Sequence, residues 1–372
     1  MRWTSLLAVW LVVAIIVDAL EAQRRKKKDE EVVTQALEVL PEPPHALVAE
    51  TRRLVFHLSP LSPKGLLSQQ TRDALKALQR QVGGATIVKL RAMVAGSGDL
   101  RRIQSIVSEQ FTERKQPLPV LSVVQVGALP LEGAQVILES TAVARKEVNP
   151  LGLAFISGQA ASSDRPLAPA ATLAKQSLAD LTTALRATGM EPKDMVRISC
   201  FMSTLEDFST VRALVAADYP LVPTNLVQVQ RSPARSIVEC EGVARLRHKI
   251  DEPLKLLNPP GLTASPNYSQ VALVAAPRVV LTGAQVSFGY QDSDARLAFQ
   301  RLEKDLAAVK ASVKDVAMSS VYPLSASLAD QVCRIRFEFY DKTRPPASTM
   351  LPFEGLPAME AGFGVDVIAV MK

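Results

Sequence analysis

The sequence has few of the residues that build metal sites and disulfide frameworks. Its 372 residues include only three cysteines and three histidines. Cys200, Cys240 and Cys333 are too few and too widely spaced for a disulfide framework or a shared zinc ion, and the histidines show no ligand spacing. We therefore expect the cysteines to be small apolar core residues, and we expect no metal and no other cofactor.

Long hydrophobic runs are also scarce. The longest, Leu6–Val17, has twelve residues, which is short for a membrane span. With Arg2 before it and Leu20-Glu21-Ala22 after it, the run predicts a signal peptide over residues 1–22. We expect export to the periplasm or the extracellular space and no membrane span after cleavage. The five positive charges from Arg24 to Lys28 would instead suit an N-terminal membrane anchor, and this alternative stays open.

One isolated run of positive charge lies near the N-terminus, and it does not indicate a nucleic-acid site. The basic run is a single stretch followed by three acidic residues, and the net charge of the whole chain is +6. This pattern is typical of a solvated linker. Together with Pro41-Glu42-Pro43-Pro44, it predicts a flexible tether over residues 23–45. The rest of the chain has the ordinary composition of two or three globular domains.

An internal repeat organises the remainder of the chain. It is clearest in residues 148–250, where short apolar runs alternate with amphipathic stretches. The first helix is marked by Ala174, Leu178, Leu181 and Leu185, and Asp207 is expected to cap the second. The predicted order is strand, helix, strand, helix, strand, strand, with strands at Leu153–Gln159, Met195–Met202, Leu226–Gln230 and Ile237–Leu246.

The same order recurs on both sides of this segment. Residues 46–147 repeat the first helix stripe 103 positions earlier, with Leu75 matching Leu178. Residues 267–372 repeat the second helix, because Ser327–Phe339 matches Asp207–Tyr219. The proline-rich stretch 251–266 predicts a hinge-like linker between the second and third copies. The sequence thus predicts three tandem α+β modules at 46–147, 148–250 and 267–372.

Four motifs of the middle module resemble the RidA (YjgF-type) family of enamine/imine deaminases. They are Phe155–Gln159, Ala174–Leu178, Asp207-Phe208 and Val238–Glu241. The resemblance implies a chorismate-mutase-like βαβαββ fold, which in the family assembles as a homotrimer with active sites in the clefts between subunits. Three copies in one chain then imply an intramolecular pseudo-trimer, self-contained and monomeric.

The resemblance also implies a substrate-binding arginine early in the fourth strand, in a Pro-Ala-Arg string. Its planar guanidinium can hold a carboxylate through two hydrogen bonds. The matching positions here are Leu121, Asn225 and Ser348, so the arginine is missing from every module.

Other family positions are kept in part. The family's acid that acts on water is matched by Glu239 in the middle module. The first and third modules have Ile137 and Gly364 at the same position. The hydroxyl position is matched by Ser157 and Thr282, with Ser59 as an uncertain third. Tyr268 matches a substrate-site tyrosine, and Arg212 stands where the family has asparagine. Ser157 and Thr282 could equally bond strand ends. Because Glu239 and Glu241 alternate on one strand, we expect one of them to face solvent.

Three functions remain open from the sequence. The first is a binding protein, or an enzyme of altered chemistry, that uses the inter-module clefts for a small molecule. The second is the family's imine or enamine deamination, for which Glu239 and Ser157 would be catalytic and Asn225, Tyr268, Thr282 and Arg212 would contact the substrate. The third is a structural or partner-binding protein of the cell envelope. Because the arginines are missing, we favour the first.

Overall fold

The computed structural model describes residues 39–232 and 234–371, together with residues 18, 20, 21 and 23. Most of the predicted signal peptide, including the cleavage position at Ala22, and most of the predicted tether lie outside these residues. Among the residues that are described, no helix is both long and apolar enough to cross a membrane.

Three stretches of the chain share the order strand, helix, strand, helix, strand, strand, and the third has one additional strand before its first helix. Segment 1 comprises β2 (Leu54–Leu58), α1 (Leu67–Gln81), β3 (Thr86–Ala95), α2 (Arg101–Glu113), β4 (Val120–Val126) and β5 (Val136–Val143). Segment 2 comprises β6 (Leu153–Ser163), α3 (Ala170–Ala187), β7 (Met195–Met202), α4 (Phe208–Asp218), β8 (Thr224–Gln228) and β9 (Ser236–Arg245). Segment 3 comprises β12 (Arg278–Thr282), β13 (Gln285–Phe288), α5 (Asp292–Ala308), β14 (Val316–Pro323), α6 (Ala326–Ile335), β15 (Ala347–Met350) and β16 (Ala361–Val370).

The apolar stripes read from the sequence form the contacts between helices and sheets. In α3, Ala174, Leu178, Leu181 and Leu185 are all buried against the sheet of segment 2. Asp207 precedes α4 as expected, but its carboxylate does not cap that helix. It accepts a hydrogen bond of 3.1 Å from the amide of Ala171, in the first turn of α3. Asp207 therefore joins the two helices of the segment.

Three short strands outside these segments complete the sheets. They are β1 (Ala46–Glu50), β10 (Leu254–Leu257) and β11 (Val271–Val274). β1 pairs antiparallel with β12 of segment 3, while β11 pairs antiparallel with both β10 and β6 of segment 2. The predicted hinge at 251–266 thus contains a strand of a sheet, and residues 46–50 belong to the sheet of segment 3.

Each sheet packs its helices on one face and the other two segments on the opposite face. Two apolar clusters are shared by all three segments. One contains Leu54, Phe155 and Leu281, and the other contains Met93, Phe201 and Tyr322. Between these clusters, the inward faces of the central strands carry polar side chains, including Arg91, Glu241 and Asp366. The centre of the molecule is therefore an apolar, polar and apolar stack.

Two cysteines are paired, contrary to the expectation that all three are unpaired core residues. Cys200 on β7 lies directly opposite Cys240 on β9, and the two form a disulfide with a Cα–Cα distance of 4.1 Å. Antiparallel pairing brings together residues 40 positions apart in sequence, and their spacing alone did not show this. Cys333 is a free, partly buried cysteine.

We expect the disulfide to be present in the purified protein and to stabilise it. Alkylation in denaturant without a reductant should label one cysteine, Cys333, and prior reduction should expose all three. The double variant Cys200→Ala/Cys240→Ala should lose about 2–4 kcal/mol of unfolding free energy, measured by urea denaturation. Cys333→Ala is the matched control and should change the free energy of unfolding much less. Labelling of three cysteines without reduction would contradict the pairing.

Candidate functional site

A layer of buried charges lies where the three segments meet. Arg91 of segment 1 donates to Glu139 of its own sheet at 2.8 Å and to Glu241 of segment 2 at 2.8 Å. Arg197 of segment 2 donates to the same Glu241 oxygen at 2.8 Å. Burial favours protonation of Glu139, but Arg91, Arg197 and hydrogen bonds from Asn225 and Ser199 hold the pKa of Glu139 at about 2. This carboxylate is ionised at neutral pH.

Segment 3 joins the layer through Asp366. Its carboxylate forms an ion pair with Lys89 of segment 1 at 2.5 Å and accepts hydrogen bonds from Ser122 at 2.6 Å and Tyr322 at 2.7 Å. Burial opposes ionisation, but Lys89 keeps the pKa of Asp366 below its usual value. Lys89 also donates to the carbonyl of Thr282. These contacts tie segment 1 to segment 3.

Several residues expected in the site converge between segments 2 and 3. The hydroxyl of Ser157 donates to the carbonyl of Ser269 at 2.6 Å and accepts from the amide of Ser348 at 2.9 Å. The amide of Gly158 donates to the hydroxyl of Thr349 at 3.1 Å. The hydroxyl expected to be catalytic is therefore saturated by protein backbone.

Glu239 closes this interface. It is 6 % exposed, lies against Gly158 and accepts a hydrogen bond from the backbone of Met350. Burial, reinforced by the nearby charge of Glu241, raises the pKa of Glu239 to about 8. The expectation that Glu239 or Glu241 faces solvent is wrong, because residues two apart on a strand share a face and both are buried.

The same interface contains an arginine that the sequence reasoning missed. Arg336 follows α6, is 1 % exposed, and donates to the hydroxyl of Ser348 at 3.3 Å and to the carbonyl of Asn267. Its Nε atom is buried without a hydrogen-bond partner, and burial lowers the pKa of its guanidinium. Tyr268 lies close enough to Arg336 and Glu239 to feel both charges, while burial raises the pKa of its phenol. In the repeat, Arg336 occupies the position of Ala216. An arginine where segment 2 has a small side chain was the sequence feature that could have identified it.

Asn225 lies at a different interface from Glu239. Its side-chain amide donates to Glu139 of segment 1 at 2.7 Å and contacts the sulfur of Met93 at 3.2 Å. An arginine at position 225 would therefore face Glu139 and segment 1. The expected partnership of Asn225 with Glu239 and Ser157 in one cleft is not found.

The interface between segments 1 and 2 contains a cavity of about 410 Å³. Segment 1 contributes Leu58, Ser59 and Ile137, and segment 2 contributes Arg212 and Val215 on α4. The hydroxyl of Ser59 accepts a hydrogen bond of 3.0 Å from the amide of Leu138. Ser59 and Ile137 are the counterparts of Ser157 and Glu239. The cavity therefore has the hydroxyl but has an isoleucine in place of the acid.

Strand register refines the expected arginine positions. In segment 2, Asn225 on β8 is paired with Ser199 on β7. Arg91 and Ser320 occupy the place of Ser199 in segments 1 and 3. They are paired with Ser122 and Thr349, respectively. Ser122 and Thr349, rather than Leu121 and Ser348, therefore occupy the place of Asn225, and neither is an arginine. Thr282 also differs from Ser157, because its hydroxyl accepts from the amide of Val367 within its own segment at 2.9 Å.

We expect Glu239→Gln to stabilise the protein increasingly as the pH rises. An acid whose pKa is near 8 when folded and 4.5 when unfolded favours the folded state below pH 4.5 and loses that contribution as the pH rises through 8. The variant and the unmutated protein should be similar near pH 5. Between pH 5 and 8 the difference should grow by up to about 1.4 kcal/mol per pH unit, measured by urea denaturation. Glu206→Gln, at an exposed position, should show no such trend, and a constant difference for Glu239→Gln would contradict the raised pKa.

Comparisons with known proteins agree with the resemblance seen in the sequence. Residues 145–250 match the model of the family described as Endoribonuclease L-PSP. A Rid family protein of Yersinia pestis is 18% identical over 32% of this chain and all of its own length, with a TM-score of 0.29. A member of the YjgF/YER057c/UK114 family from Mycobacterium tuberculosis is 20% identical over 32% of this chain and 99% of its own, with a TM-score of 0.24.

A third solved structure, Escherichia coli TdcF with bound serine, is 18% identical over 25% of this chain and 81% of its own, with a TM-score of 0.24. No curated protein matches the chain. The structural similarities are low, so the assignment depends on the family model and on the motifs of segment 2. Residues 145–250, which contain segment 2, thus match the Endoribonuclease L-PSP family model, and the chain is similar to solved proteins of the YjgF/Rid family.

Proposed function

We propose that this protein is an exported, fused Rid-type scaffold that binds a small molecule in the cleft between segments 1 and 2. This proposal depends on one observation, that Glu239 does not line the cavity between segments 1 and 2. Glu239, Ser157 and Arg336 lie in an interface where each accepts or donates hydrogen bonds to neighbouring protein groups, although Nε of Arg336 has no partner. The cavity between segments 1 and 2 has Ile137 in place of the acid.

The proposal includes three Rid-type modules that close on each other as an intramolecular pseudo-trimer. Two features support it: the shared element order of the three segments, and the charged layer that links all three sheets. Export is supported by the disulfide between Cys200 and Cys240, because disulfides persist mainly in oxidising compartments. With its three sheets already in contact, one chain is expected to remain a monomer.

The cleft indicates the kind of ligand. A volume of about 410 Å³ falls in the ordinary range of small-molecule sites, roughly 300–1,000 Å³. Its walls combine aliphatic side chains, including Leu58, Leu61, Val215 and Leu226, with polar atoms from Arg212, Ser59 and Thr224. We infer a small metabolite that has both an apolar part and a polar end, with the polar end near Arg212.

A thermal-shift screen of small metabolites tests this site. A ligand that binds the folded state raises the melting temperature by mass action. We expect at least one hit whose shift disappears in Ala216→Trp, because Ala216 lines the cavity and a tryptophan there fills it. Ala213→Trp, three residues earlier on the exposed face of α4, is the matched control and should keep the shift. Hits that persist in Ala216→Trp would contradict the assignment of the cleft.

A second candidate function is imine deamination between segments 2 and 3. Arg336 favours it, because in the described part of the chain no carboxylate forms an ion pair with this buried guanidinium. An imino acid could supply one. A Glu239 pKa of about 8 would let this residue serve as a general acid at neutral pH. Ser157 is nevertheless already bonded on both sides, so we rank this function below binding.

We expect the unmutated protein not to accelerate the decay of freshly generated 2-iminopropanoate. The family's arginine is missing from the fourth strands, and losing such a contact typically lowers the rate on the order of a hundredfold or more. The assay compares imine decay with a no-protein control and with Arg336→Met. Clear acceleration that Arg336→Met abolishes would establish the second candidate in place of the first.

A further inference from the structure

The first strands of segments 2 and 3 each receive an added strand from elsewhere in the chain. β11 covers the outer edge of β6, with Ala272 opposite Phe155. β1 covers the outer edge of β12, with Leu47 opposite Leu281. Both additions are antiparallel, four or five residues long, and almost entirely apolar.

The first strand of segment 1 has no such addition in the described part of the chain. β2 pairs with β5 alone. The bonds from Ala144 to Arg53 and from Ser59 to Leu138 show that odd-numbered residues of β2 face β5. In an antiparallel strand the alternate residues, Leu54, Phe56 and Leu58, then present their backbone groups outward.

Chain connectivity explains this difference. β5 ends at Val143 and β6 begins at Leu153, after a turn that contains Asn149 and Gly152. This short connection provides no strand of segment 2 that could cover β2. Asn149 takes the place of an added strand at one residue of β2, because its side-chain amide donates to the carbonyl of Leu54 at 2.8 Å.

A groove of about 920 Å³ runs along this edge. One wall is residues 54–57 of β2, and the other is formed by Met195, Val196 and residues 217–223 of segment 2. The added strand β11 has matching surroundings, since Ala272 and Val274 pack in one cluster with Phe155 and with Ala317 at the start of β14. The groove therefore lies where a third added strand would lie.

We propose that this groove binds an extended, apolar segment of another polypeptide, which adds to β2 as an antiparallel strand of four to five residues. Backbone groups at an open sheet edge give such a strand its affinity, and alternate side chains give it specificity. The chemistry of the guest follows from the two strands that occupy the matching edges, Val-Ala-Leu-Val and Ala-Leu-Val-Ala-Glu.

The shape of the groove favours a flexible peptide over a second copy of this chain. The β2 edge is flanked by residues 191–196 and 217–223 of segment 2. A groove flanked in this way admits a single extended strand more readily than the recessed edge of a second folded copy. A free loop or terminus of a partner can enter, and charged groups of both signs also line the groove: Arg186, Glu191, Lys193, Asp218 and Arg245.

The test uses a fluorescent peptide with the sequence of residues 270–276, flanked by lysines for solubility, and the full chain. In β11, alternate residues bond to β6. The backbone amide of Ser157 donates to the carbonyl of Gln270, and two residues later Ala272 pairs with Phe155. We expect saturable binding by fluorescence anisotropy. N-methylation of the Ala272 amide should weaken binding at least tenfold, whereas N-methylation of the Leu273 amide, which faces the other edge, should have little effect.

Protein variants place the peptide. Ala217→Trp fills the groove from an exposed position on α4 and should weaken binding at least tenfold, while the control Ala213→Trp should not. Ala216→Trp, which fills the neighbouring small-molecule cleft, should leave peptide binding largely intact, so the two proposals can fail separately.

Three outcomes would overturn the proposal. They are an absence of saturable binding, binding that Ala217→Trp does not weaken, and equal sensitivity to both N-methyl groups. Self-association of the chain that Ala217→Trp abolishes, without peptide binding, would assign the edge to a second copy instead.

Discussion

The buried charge layer is the constraint on which the rest of the structure depends. Removing carboxylates and guanidinium groups from water is costly, and close ion pairing with additional hydrogen bonds offsets that cost. Arg91 satisfies carboxylates from two segments, and Lys89 reaches a third. These partners meet only when all three sheets face one another, so the layer specifies the mutual arrangement of the segments. The apolar clusters on either side exclude water from the layer.

This layer also shows why an arginine would be unfavourable at two fourth-strand positions. Ser122 and Asn225 hydrogen-bond to Asp366 and Glu139, each from a neighbouring segment. A fourth-strand arginine there would add a cation beside Lys89 or Arg91, in a centre already supplied with positive charge. Because the segments are parts of one chain, their sequences can differ from one another. Segments 1 and 2 have cations in the layer, whereas segment 3 has Met318 and Ser320 at the corresponding positions of β14. The three interfaces have diverged accordingly, one closing around Glu239 and another keeping a cavity.

The exchange of edge strands is a second consequence of having the three segments in one chain. Segment 3 receives β1 and segment 2 receives β11, so two sheets are extended by strands from elsewhere in the chain. The short connection after β5 interrupts this pattern at segment 1 and leaves the β2 edge open. A sheet edge is normally protected against pairing with other chains. Here it is recessed between two segments, which restricts access without removing the hydrogen-bonding groups.

The sequence by itself determined the local structure and the repeat. The helix stripe at Ala174–Leu185, the strand Met195–Met202 and the repeated element order follow from hydrophobic periodicity, which acts over a few residues. The tertiary structure alone decided the disulfide between Cys200 and Cys240, the placement of Asn225 beside Glu139, the arrival of Arg336 at Ser348 and the burial of both Glu239 and Glu241. These facts depend on strand register and on packing between segments, and a one-residue change of register alters which side chains meet. Periodicity carries no information about that register, because it repeats along every strand.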